Sequence, residues 1–129
     1  MNTFRAFSIC TALLYILMIP AVQATTVSEC AGQIQTLEQE LSGVEIRGNN
    51  PDQTRASLES KLSGSLIKLD QAKFCDAILK LTQFRDKVQD LAVPNRKGET
   101  KMDTADSDSL ASGADEAIVC IRDLDPLCP

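Results

Sequence analysis

Four stretches of the chain repeat apolar residues at helical spacing. In the first, Val27, Cys30, Ile34, Leu37, Leu41 and Val44 follow alternating steps of three and four, which places them on one helix face. Glu29, Gln33, Gln35, Glu38, Gln39 and Glu40 occupy the rest of the surface, and Thr26 or Ser28 stands where a cap belongs. Gly48-Asn49-Asn50-Pro51 ends this segment, and Asn50 followed by Pro51 is a cap and first-turn pair for the next. The second segment runs from Pro51 towards Gln71 with Leu58, Leu62, Leu66 and Leu69 on one face and Ala72 following. Gly64 lies inside it, at a cost of about 1 kcal/mol relative to alanine. The third carries Phe74, Ile78, Leu81, Phe84, Val88 and Leu91, and stops at Val93-Pro94 because the residue before proline avoids helical angles. Residues 94 to 104 are a polar connection with almost nothing to bury. The fourth segment begins between Asp103 and Ser109, carries Leu110, Ala114, Ile118, Ile121 and Leu124, and is closed by Asp125-Pro126. No run alternates as a strand would. The pattern predicts an all-α fold, a small antiparallel up-down bundle of three to four helices.

The first 24 residues stand outside that pattern. Arg5 forms a short basic start, Ala6 to Ile19 is apolar apart from Ser8, Cys10 and Thr11, and Val22-Gln23-Ala24 offers small side chains to a signal peptidase. This reads as a signal peptide over residues 1–24, with a single helical domain over 25–129. The apolar run is shorter than the roughly 20 residues that a membrane span needs, so no stable insertion is expected after cleavage. Neither Cys10 nor Cys30 follows the small residue of a lipobox, and there is no twin arginine. Cleavage after Ala24 leaves four cysteines, Cys30, Cys75, Cys120 and Cys128, and only two aromatic residues, Phe74 and Phe84. An even cysteine count in a chain bound for an oxidising compartment points to disulfides and to a secreted or periplasmic location.

In an up-down bundle the start of the first helix, the start of the third and the end of the fourth share one pole, so all four cysteines fall there. Two bridges are expected, each worth roughly 2–4 kcal/mol, in a chain whose core is too small to stand easily without them. The preferred pairing is Cys75–Cys120 with Cys30–Cys128; Cys30–Cys75 with Cys120–Cys128 is the second arrangement. Zinc is disfavoured because no close CxxC pair exists, and the same absence disfavours a redox centre.

The chain has no histidine and no tryptophan, which excludes histidine-based triads and imidazole metal sites. Its net charge is −5, which argues against nucleic acid or an anionic membrane as partner. From Thr25 to Gly98 ten acidic and ten basic residues cancel, whereas Glu99 to Pro129 holds eight acidic and two basic. Asp103, Asp106 and Asp108 with Asp115 and Glu116 invite a calcium reading, but Leu110 stands where an EF-hand loop needs a ligand. Capping and dipole complementation at the start of the fourth helix explain these acids more simply.

The cadence Ser57-Leu58, Lys61-Leu62, Leu69-Asp70, Ala77, Leu81-x-x-Phe84-x-x-x-Val88, then Asp108-x-Leu110, Ala114 and Ala117-Ile118 resembles the FIMAH-type helical modules of secreted and cell-surface bacterial proteins. The resemblance spans about Leu37 to Leu124. The sequence departs from it at Ala72-Lys73, where a turn glycine is usual, and by adding cysteines. It implies an envelope or extracellular setting and a non-catalytic binding or spacer role, with no catalytic residues to carry over. The expectation is therefore a small secreted or periplasmic protein, not an enzyme and without a cofactor, that binds another envelope or extracellular protein through Asp106, Asp108, Asp115 and Glu116. The alternatives are a carrier of a small apolar ligand and a carboxylate-dependent hydrolase.

Overall fold

A computed structural model describes residues 25–129. The signal peptide expected over residues 1–24 lies outside the described residues. The described residues form four helices and no strand: α1 (Val27–Gly43), α2 (Pro51–Asp70), α3 (Phe74–Leu91) and α4 (Thr104–Leu124). Each packs against its two neighbours in a closed ring, α1 on α2, α2 on α3, α3 on α4 and α4 back on α1, with no diagonal packing. This is the disulfide-stapled all-α bundle that the periodicity predicts.

The helix ends show why the segments begin and stop where they do. Thr26 caps α1 in a full capping box: its hydroxyl accepts the Glu29 N–H, and the Glu29 carboxylate accepts the Thr26 N–H. The last turn of α1 has no basic residue. Arg55 of α2 supplies one instead, its guanidinium donating to the carbonyls of Leu41 and Val44. At the end of α2, Ala72 takes a left-handed φ of 57°. The Ala72 N–H donates to Leu69 O and the Lys73 N–H to Lys68 O, which is a Schellman closure built on alanine. This is the position where the sequence lacks the expected turn glycine.

Phe84, Ile34, Leu37, Leu41, Leu58, Leu62, Leu81, Leu110 and Ile121 are fully buried at the centre. The fringes differ from the expected pattern. Val27 is 39% exposed, and Val44, Leu66, Phe74 and Leu124 lie only at the edge of the core. Two core residues fall in the connections, Ile46 and the fully buried Met102. The connection from 94 to 104 therefore does bury something: the N–H groups of Lys101 and Met102 both donate to Leu91 O, which folds Met102 under the bundle. Among the described residues Ser65 and Ser107 are the buried polar ones, and each hydroxyl is satisfied by a carbonyl, of Leu62 and Val88 respectively.

The cysteines do converge at one pole, but with neither expected pairing. Cys30 joins Cys120, and Cys75 joins Cys128. Helix phase explains the correction. Gly113, Ala117 and Cys120 form one stripe of α4, and the α1 residue against Gly113 is Leu37. Seven residues separate Gly113 from Cys120, and seven separate Cys30 from Leu37. That antiparallel register brings Cys120 level with Cys30. Cys75 lies nearly opposite the buried Ala77–Leu81 stripe of α3 and is exposed, so it cannot reach Cys120. The tail reaches it instead: the chain turns at Asp125-Pro126, with the Cys128 N–H donating to Asp125 O.

Candidate functional site

Because α1 and α4 are neighbours, their charges share one side of the bundle. Helix α1 has three acidic residues and no basic one, and α4 has five acidic residues against Arg122 alone, so the pair carries a net −7. Helices α2 and α3 each hold three acidic and three basic residues and balance. The apparently neutral first half of the sequence thus contributes an acidic helix that folding sets beside α4.

The four expected contact residues do not form one patch. Glu116 is exposed towards α1, whereas Asp108 is exposed on the stripe of α4 that also carries Asp115, seven residues on. Asp115 is on the α3 side, where Arg85 Nη1 donates to its carboxylate at 2.8 Å. Asp106, only partly exposed, sits at the start of α4, near enough to Arg47 to help hold that guanidinium in its charged form. Asp103 occupies the cap position without capping, because its carboxylate accepts from Arg47 Nη2 at 2.7 Å. Both Arg47 and Arg85 are held above the ordinary guanidinium range, chiefly by their hydrogen bonds to Asp103 and Asp115.

What the structure does bring together is Glu116, Asp123 and Glu29. These line a shallow depression of about 350 Å³ on the α1–α4 seam, with Gln33, Val119 and Cys120. Glu116, Val119 and Asp123 follow steps of three and four along the outer side of α4, and Val119 is 56% exposed. The result is an apolar side chain between carboxylates, beside the buried Cys30–Cys120 bridge. Sequence reasoning missed Glu29, Val119 and Asp123. The available signal was this second, polar stripe of α4 combined with an α1 free of basic residues.

A larger groove of about 1020 Å³ lies at the opposite pole, between the α1–α2 and α3–α4 connections. Arg47 ties these connections together. Its N–H donates to Lys101 O at 2.8 Å, and its guanidinium reaches Thr100 O and Oγ1 as well as Asp103. Asn95 shapes the second connection, its side-chain oxygen accepting the N–H groups of Lys97 and Glu99.

Among the described residues, no helix is long and apolar enough to cross a membrane. Cys75, Cys128 and Asp125 come close together, but both sulfurs are in the bridge, so no thiolate is left there to hold a metal. No family model matches the chain, and comparison with curated proteins and with solved structures gives no match.

Proposed function

We propose that this chain is a small, non-catalytic binding protein of an oxidising compartment, secreted or periplasmic, and that the outer α1–α4 face docks a basic surface of another protein. The observation that carries the reading is the segregation of a net −7 onto two adjacent helices, while the other two balance. Two cross-links fix the pole of the bundle nearest the acid-flanked Val119, so little order is lost on binding there. The stripe's carboxylates are exposed, which suits long-range steering, whereas acid–base catalysis calls for a group sheltered in a cleft. Excess acidity on one face sets the encounter rate and orientation, and Val119 supplies a small dehydrated contact.

The test is the association rate of a partner isolated from an envelope or culture extract. The rate is expected to fall steeply from about 50 to about 300 mM salt, as screening shortens the reach of the charges. It is also expected to fall on joint Glu116→Lys and Asp123→Lys substitution. A rate indifferent to both salt and charge reversal would remove the assignment of this face.

A further inference from the structure

The groove at the pole away from the disulfides inverts the character of the molecule. Apart from two glycines, every side chain lining it is charged, an amide or a hydroxyl. Three cations, Arg47, Lys87 and Lys101, face one carboxylate, Glu99, in a chain whose net charge is −5. Arg47 is engaged with Asp103 and Thr100. Lys87 and Lys101 are exposed and make no ion pair among the described residues. Lys101 is nevertheless well placed. Its N–H donates to Leu91 O at 2.9 Å and its carbonyl accepts from the Arg47 N–H. Its aliphatic stem lies across Gly48, where an added Cβ would stand 3.6 Å from three of its carbons. That is ordinary van der Waals distance, and the reason for a glycine here is its φ of 118°, a conformation that L side chains rarely adopt.

The geometry points to a binding site for an acidic saccharide, a sugar carboxylate or sugar phosphate. Its anion would be held by Lys87 and Lys101, and its hydroxyls by the amides of Asn49, Asn50 and Gln53. An ammonium presents three donors to a carboxylate or phosphate as a compact charge. A side-chain amide offers a donor and an acceptor side by side, which matches a pair of neighbouring hydroxyls. Asn50 is free for this, since its side chain makes no capping bond to α2. A lining of this kind suits a ligand polar all round, in contrast to the largely apolar pockets that take lipids and drug-like molecules. This site is separate from the α1–α4 face, and either assignment can fail without the other.

The experiment is a titration of the isotopically labelled, disulfide-bonded protein, read at backbone amides by NMR. The probes are a galacturonate trimer, glucose 6-phosphate, neutral maltotriose and inorganic phosphate. Saturable shifts at Gly48, Gly98, Thr100 and Lys101 are expected with at least one of the two charged sugars, the tighter of them telling carboxylate from phosphate. Joint Lys87→Ala and Lys101→Ala substitution is expected to weaken that binding by about tenfold or more, with thermal stability unchanged, since both side chains are exposed. Joint Glu116→Lys and Asp123→Lys substitution is expected to leave it in place. Maltotriose binding as tightly as the charged sugars, inorganic phosphate binding as tightly as glucose 6-phosphate, or no saturable shift at the groove would each overturn the proposal.

Discussion

Gly32 and Gly113 both lie inside helices, and the same substitution at each should move stability in opposite directions. Alanine in a helix interior is favoured over glycine by about 1 kcal/mol, because the unfolded glycine chain is freer. At Gly32 an added Cβ meets nothing within 4 Å, so Gly32→Ala should realise that gain. For a domain of this size that is an increase in Tm of roughly 4–8 °C. At Gly113 the added Cβ would stand 2.6 Å from Leu37 Cδ2 and 3.4 Å from Leu37 Cγ. The first contact falls about 1 Å short of a comfortable carbon–carbon separation. Leu37 is only 2% exposed and has little room to turn away, and the Cys30–Cys120 bridge two turns along holds α1 and α4 together. Overpacking of this kind costs about 1–3 kcal/mol, which outweighs the propensity gain. Gly113→Ala should therefore lose up to about 2 kcal/mol net. A double-mutant cycle isolates the cause: with Leu37→Ala already in place the clash is gone, and Gly113→Ala should become stabilising. Chemical denaturation of the five proteins (the parent, Gly32→Ala, and the three variants of the cycle), with disulfides intact, reads all these terms. If Gly113→Ala stabilised the parent protein as Gly32→Ala does, the α1–α4 register would be wrong.

Ala72→Gly should stabilise by about 0.5–1 kcal/mol, because the left-handed cost of alanine exceeds the extra entropy glycine brings to the unfolded chain. A Tm that falls would contradict the Schellman geometry at that turn. The Arg85 guanidinium is raised by its hydrogen bond to Asp115, so its contribution is complete below the unfolded value and is lost only as pH rises through the higher folded value. Both values lie far above neutrality. Arg85→Gln should therefore cost the same at about pH 6 and about pH 9, at most about 1 kcal/mol for so exposed a pair, and a cost that changed between them in thermal melts would contradict this.

The helices were legible because burial in a bundle imposes a three-four spacing that few other structures share. The common pole of the cysteines was legible for the same reason, since up-down connectivity alone places Cys30, Cys75, Cys120 and Cys128 together. Their partners were not. Pairing depends on helix phase, and Cys75 sits nearly opposite the buried stripe of α3, which turns its sulfur outward. Ile46 and Met102 escaped because a single apolar residue in a polar connection has no period to reveal it. The acidic face was half legible. The excess on α4 shows in the linear sequence, but the contribution of α1 is offset there by Lys73, Arg96 and Lys97 of the connections, and appears only once the ring of helices closes. Asp103 shows a related limit: it stands at a cap position, yet a tertiary partner, Arg47, takes its carboxylate.

The bundle's register and the proposed oxidising compartment meet in the disulfide pairing, which is directly measurable. Trypsin separates the four cysteines, because Arg47, Lys73, Lys80, Lys101 and Arg122 lie between or beside them. Non-reducing digestion and mass spectrometry of the protein, isolated without reductant, should link the Cys30 peptide ending at Arg47 to the peptide of residues 102–122, and residues 74–80 to residues 123–129. Linkage of residues 74–80 to residues 102–122, or four free thiols, would contradict the account.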